Sequence, residues 1–293
     1  MTLNFEYIAG PFTLTEGPAW DGGGLLFTDI GNNRVLRYDP PSGACETSRT
    51  GTNAANGLML DRSGRLYACE GKGRRIVRYE PDGGVTVIAD RFEGKRLNSP
   101  NDLAIDEQGR IWFTDPRYGD DRSDMELDHE SVFRLDPPPD GVGQRSIRRM
   151  TYDTTKPNGL LISPDQRTLY VAQSDHGVER KRELRGYLIN GDQLGPHQVL
   201  HDFGAHRGID GMCLDTEGNI LAATGWRQSG PGPMIHVFAP DGRVLEQHPF
   251  PQDRPTNCTF GDADLQTLYV TSIEGWLYRA RTNRRGRLWW PAS

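Results

Sequence analysis

A chain of 293 residues is long enough to bury a core, and length alone leaves open one large domain or two small ones. With 34 basic against 40 acidic side chains the net charge is −6, a balance that argues against a nucleic-acid partner, which a basic face would recognise. Apolar residues reach only 35%, Gly (35) and Pro (20) are abundant and mean hydropathy is −0.66, which favours many short strands joined by turns over long amphipathic helices.

Residues 1–10 carry neither a basic nor an apolar leader, and no apolar run approaches the roughly 18 residues of a membrane span. The chain is therefore expected to be soluble, unexported and cytoplasmic, with no membrane partner. From residue 16 onward one unit recurs. It reads E-G-P-A-W-D-G-G-G-L-L-F-T-D from Glu16, N-G-L-M-L-D-R-S-G-R-L-Y-A-C-E from Asn56 and N-D-L-A-I-D-E-Q-G-R-I-W-F-T-D from Asn101. It returns as N-G-L-L-I-S-P-D-Q-R-T-L-Y-V-A-Q from Asn158, D-G-M-C-L-D-T-E-G-N-I-L-A-A-T from Asp210 and N-C-T-F-G-D-A-D-L-Q-T-L-Y-V-T from Asn257. Spacings of 40 to 57 residues are those of propeller blades or slightly longer.

Within a copy, a short apolar strand, a polar turn such as 61–64 or 106–109 and a second apolar strand make a hairpin. Third strands follow at 75–84, 131–137 and 235–242, and a fourth, such as 85–89, completes the blade. The pattern predicts an all-β fold: a single six-bladed β-propeller domain over 1–293, with four-stranded blades around a central channel. The last copy starts too late to supply its own outer strand, so 4–8 is expected to close the ring, with 287–290 as the alternative. Four cysteines (Cys45, Cys69, Cys213, Cys258) lie far apart with no C-x-x-C, which indicates neither a disulfide scaffold nor a zinc knuckle. The last three are expected as small buried hydrophobes. The basic stretches 180–185 and 284–287 read as a solvated loop and tail.

The first residue of each copy enters an innermost strand, so six equivalent positions encircle the channel at one end: Glu16, Asn56, Asn101, Asn158, Asp210 and Asn257. Turn preference accounts for the Asn residues but not for Glu16. Two carboxylates converging on one axis are costly without a cation. All six side chains offer oxygen, which favours a hard divalent ion, Ca²⁺ before Mg²⁺, over Zn²⁺. Glu16 and Asp210 would balance its charge, and Asn101 and Asn158 would add neutral ligands. Loops 115–130, 174–185 and 225–233 are expected to roof this end. Asp29, Glu70, Asp115 and Tyr118 are candidates to face the cavity, whereas Asp120, Asp121 and Asp124 lack EF-hand spacing and read as solvated. His206, four residues before Asp210, reads as structural. There is no H-E-x-x-H, G-x-S-x-G, P-loop or dinucleotide fingerprint.

Glu16-Gly17-Pro18-Ala19-Trp20, R-L-N-S-P-N-D-L (96–103), W-F-T-D-P-R-Y-G (112–119), P-N-G-L (157–160) and D-G-M-C-L-D (210–215) resemble the senescence-marker-protein/gluconolactonase/luciferin-regenerating family. The resemblance covers about 14–281 and implies a six-bladed propeller whose axial metal is held by Glu16, Asn158 and Asp210, with Asn101 binding metal or substrate. It also implies hydrolysis of sugar lactones or, in the related diisopropylfluorophosphatase-like enzymes, of phosphotriesters. An Arg that grips the sugar in the animal gluconolactonases is Ser99 here, with Arg96 nearby but not aligned. The expected chemistry is opening of a lactone, with Asp210 as base and Asn101, Arg96, Asp115 and Tyr118 meeting the substrate. A non-catalytic ligand-binding propeller with a structural metal is the alternative in another class.

Overall fold

The computed structural model describes residues 2–118, 121–138, 143–175, 177 and 181–290. Every regular element among them is a strand, and no helix is long and apolar enough to cross a membrane. The strands form six four-stranded antiparallel sheets and one small hairpin, Arg91–Phe92 with Lys95–Arg96. The innermost strands are Thr15–Trp20, Ala55–Leu60, Leu103–Ile105, Pro157–Ile162, Ile209–Leu214 and Pro255–Gly261. Each touches the next and the last touches the first, so they line a closed ring: a six-bladed propeller.

The recurring sequence turn has a local cause. In the second blade Asp61 Oδ1 accepts the amides of Ser63 (2.8 Å) and Arg65 (3.0 Å), and in the third Asp106 Oδ1 accepts those of Gln108 and Arg110 (both 3.0 Å). Asp215 repeats the arrangement with Glu217 and Asn219. An Asp that bonds the backbone two residues on initiates the turn and sets the hairpin register.

Buried side chains fall into six apolar clusters, each shared by neighbouring blades. Trp20, Phe27, Tyr269 and Leu277 fill the seam between the last blade and the first. Cys213, Leu221, Cys258 and Phe260 fill the one before it. Because successive strand residues face opposite sides of a sheet, every blade feeds two seams, and burial that a lone blade lacks comes from closing the ring. Cys69, Cys213 and Cys258 are buried thiols in these seams, as expected.

The ring closes through the N-terminus. Glu6–Ala9 is the outer strand of the last blade, with Glu6 opposite Arg279 and joined to it by a 2.9 Å ion pair. Residues 287–290 take another course and cross the base of the channel. Arg287 N donates to Leu214 O (3.0 Å), Trp289 Nε1 to Ile105 O, and Trp290 Nε1 to Asp21 O (3.2 Å). Nor is the basic tail merely solvated: Arg284 pairs with the buried Asp215 (2.7 Å) and with Glu246.

Candidate active site

Five of the six innermost strands shift register at or just after their ring residue, as between Glu16 and Ala19 or Ala55 and Leu58. A bulge there adds one residue on the inner strand and re-aims the side chain beside it. Close packing of neighbouring blades then forces small residues. A Cβ on Gly17 would stand 2.2 Å from Asn56 O, and one on Gly211 would stand 2.0 Å from Asn257 Cγ. Only glycine lets the inner strands approach so near.

Glu16, Asn101, Asn158 and Asn257 are each about 5–6% exposed, and the Asp210 side chain 16%. Glu16 Oε2 accepts the Gly17 amide (2.7 Å) and Asn257 Nδ2 (3.1 Å). Burial first, then the charges of Asp210 and Asp102, push the Glu16 carboxyl well above the usual carboxylate range. Burial also raises Asp210, with Arg207 and an Asn158 hydrogen bond pulling the other way. Asp102, in the place of the glycine that follows most ring residues, is pushed up to about 7, chiefly by burial. Three carboxylates therefore sense one another at the axis, one more than the ring positions predict.

Asn158 Nδ2 donates to Tyr118 Oη at 2.6 Å, so the long loop after the third blade's second strand reaches the ring through Tyr118. Burial, followed by the carboxylates of Asp210 and Glu16, pushes the Tyr118 hydroxyl well up, and it stays protonated. Lys156 Nζ lies 5.2 Å above the Tyr118 ring and, with Arg122, His129 and Glu130, lines a polar cavity of about 340 Å³. Among the described residues no side chain bonds the Asn101 amide, whose backbone is fixed by Thr114 O and Gly57 N (2.9 and 2.8 Å).

Asp29, Glu70 and Asp115 end the second strands of the first three blades, are fully buried, and hold the loops rather than line the cavity. Asp29 accepts from Thr13, Asn32 and Arg34; Glu70 from Asn53, Arg75 and Tyr79. Asp115 takes the amides of Asn98 (2.7 Å) and Ser99 (2.8 Å), which fixes the approach to Asn101. Arg96 lies on the small hairpin, exposed and paired with Glu126. His206 is exposed; the next residue, Arg207, reaches Asp210 instead. Asp121 is exposed, Asp124 pairs with Arg117, and Asp120 lies outside the described residues. Arg207 and Asp102 carry no repeat signature that singles them out, although Asp102 is visible as the acid replacing a glycine when the copies are aligned.

Among the described residues no three His, Cys, Asp or Glu side chains are grouped as a metal cage. The oxygen set here is mixed: the buried Glu16 carboxyl, whose proton affinity the Asp210 charge raises, the largely buried Asp210 carboxyl, and the Asn158 amide held by Tyr118. Such hard oxygen donors fit a divalent ion of the Ca²⁺ type. On the other side of the ring a cavity of about 140 Å³ follows the axis, lined by Asp102, Asn257, Met212 and Leu160 and bounded by Leu288, Trp289 and Trp290 of the tail.

Residues 14–274 match the family model described as SMP-30/Gluconolactonase/LRE-like region. A gluconolactonase of Zymomonas mobilis is 32% identical over 309 residues, which span 96% of this chain and 82% of that protein. Regucalcin of Xenopus laevis is 27% identical over 90% of this chain and 85% of its own. A solved gluconolactonase from Xanthomonas campestris superposes with a TM-score of 0.82 at 32% identity, covering 95% of this chain and 89% of that one.

Proposed function

The chain belongs to the SMP-30/gluconolactonase/LRE-like family, and from that premise we propose that it is a metal-dependent lactonase opening a cyclic ester, a sugar lactone, at the axial ring. The observation that carries the proposal is the convergence of the buried Glu16 carboxyl and the largely buried Asp210 carboxyl, whose charge raises the proton affinity of Glu16, among amide groups at one end of the channel. Glu16, Asn158 and Asp210, with Asn101, would hold Ca²⁺ or a similar divalent ion. Such an ion supplies Lewis-acid polarisation of the ester carbonyl and stabilises the oxyanion.

The chain's own groups do the rest. Asp210 takes a proton from the attacking water as its oxygen bonds to the carbonyl carbon. Collapse then breaks the ring C–O bond, and that proton goes to the departing alkoxide. Asn101, with its amide free of other side chains, and Tyr118, protonated at the rim, hydrogen-bond the substrate hydroxyls. Arg96 and Asp115 are proposed to act on substrate through the loop they fix ahead of Asn101. The experiment is Asp210→Asn, assayed with Ca²⁺ on a panel of sugar and aliphatic lactones. Loss of turnover by about 10²-fold or more is expected from removal of a general base. Undiminished turnover in a folded variant removes Asp210 from the mechanism.

A further inference from the structure

Arg207 is a buried arginine at the heart of the ring. Its Nη2 lies 2.5 Å from Asp210 Oδ2, and its Nη1 donates to two backbone carbonyls, Gly225 O and Pro255 O, each at 3.1 Å. Its side chain is 7% exposed. Those carbonyls belong to the second strand of the fifth blade and the innermost strand of the sixth, so the guanidinium is braced across two blades. The brace itself is shaped for this. Gly225 N donates to Arg207 O (3.2 Å), and Gly225 sits at φ 73°, where its carbonyl can face the arginine. A guanidinium presents its donors in a rigid planar fork, so the two backbone carbonyls that hold Nη1 fix its position and thereby orient the Asp210 oxygen bound by Nη2.

We propose that Arg207 is a positioning residue with a second consequence: it reserves one Asp210 oxygen for itself, leaves the other for the axis, and sets the divalent-cation affinity of the ring well below that of two uncompensated carboxylates. This rests on the metal-dependent reading of the same site. A cation bound to the free oxygen at about 2.4 Å lies about 5 Å from the guanidinium charge. At an effective dielectric of about 20, the repulsion of a divalent ion by one positive charge at that separation weakens binding by up to roughly 10⁴- to 10⁵-fold before solvent screening. The ring thus trades cation affinity for a carboxylate locked in one orientation.

The test is calorimetric titration of Ca²⁺ and Mn²⁺ into wild type, Arg207→Gln and Arg207→Lys, with melting curves recorded for each. Arg207→Gln keeps hydrogen-bond donors for the carbonyls and removes the charge; its metal Kd is expected to fall at least tenfold while kcat drops and KM changes little. Arg207→Lys keeps the charge and is expected to stay within about threefold of the wild-type Kd. An Arg207→Gln Kd within twofold of wild type, or looser, overturns the inference while leaving the metal reading intact. If neither wild type nor Arg207→Gln binds a divalent ion, the inference and the metal reading fall together. Should Arg207→Gln fail to fold, the Lys variant decides, since a tenfold change there contradicts a role set by charge.

Discussion

Replacing Gly211 by alanine perturbs the ring through one methyl group. The new Cβ would lie 2.0 Å from Asn257 Cγ and 2.2 and 2.3 Å from its Oδ1 and Nδ2. Asn257 is not free to yield, because Oδ1 accepts the Cys258 amide at 2.8 Å and Nδ2 donates to Glu16 Oε2 at 3.1 Å. Relief therefore costs a buried hydrogen bond to an ionisable acceptor, about 2 kcal/mol, plus overpacking of about 1–3 kcal/mol. Gly211 does not have a positive φ, so backbone strain adds nothing. Urea unfolding of Gly211→Ala should show a loss of about 3–5 kcal/mol together with weakened metal binding. Gly230→Ala, where a Cβ meets nothing within 4 Å, should stay within about 0.5 kcal/mol. Equal stability of the two variants would refute the claim that inter-blade contact forces the glycine.

Removing Arg284 with alanine takes the partner from an Asp215 side chain only 2% exposed and frees the tail that crosses the channel base; a loss of about 2 kcal/mol is expected in thermal or urea melts, and an unchanged midpoint would mean the tail does not brace the blades. Tyr118→Phe removes the hydroxyl that fixes the Asn158 amide, and calorimetry should show metal affinity reduced about fivefold, a hydrogen bond of about 1 kcal/mol. The Asp102 carboxyl, at about 7 when folded and about 3.9 when unfolded, favours the folded state below the lower value. That contribution is lost as pH rises through 7. In chelator, wild type should lose up to about 4 kcal/mol between pH 4 and pH 7.5 relative to Asp102→Asn, and parallel pH curves for the two proteins would contradict the assignment.

The fold was legible because its repeat has a local physical origin. In four of the six blades the turn Asp five residues after the ring position bonds its own following amides, and each inner strand opens on a ring residue, so both features recur along the chain. The ring residues were legible for the same reason: aligning the copies isolates Glu16 and Asp210 from four asparagines. What the repeat conveys less well is direction. Asp29, Glu70 and Asp115 share one register position at the mouth of the channel, yet their carboxylates turn sideways to satisfy loop amides and arginines, because a buried carboxylate is stabilised by nearby donors. Alternation along a strand shows which side of the sheet a residue takes, not which partner it finds there.

Contacts made between segments distant in sequence were hidden. Arg207 lies in a crossing that is not part of the repeated unit, and its acceptors Gly225 and Pro255 are fixed only once two blades meet. Residues 287–290 look like an apolar strand; the hydrogen bonds of Trp289 and Trp290 to Ile105 and Asp21 draw them across the base instead. The outer strand then comes from Glu6–Ala9, which pairs along Leu277–Arg281 and carries the Glu6–Arg279 ion pair.

Lactone opening at the axial ring is proposed to depend on a divalent cation held by its oxygen donors. The most direct measurement is the rate of lactone opening as free Ca²⁺ is titrated into chelator-treated protein, for wild type and for Glu16→Gln. Saturable activation from a near-zero baseline is expected in wild type, and a curve shifted to higher Ca²⁺ or abolished in Glu16→Gln. Full activity in chelator, or identical curves for the two proteins, would contradict it.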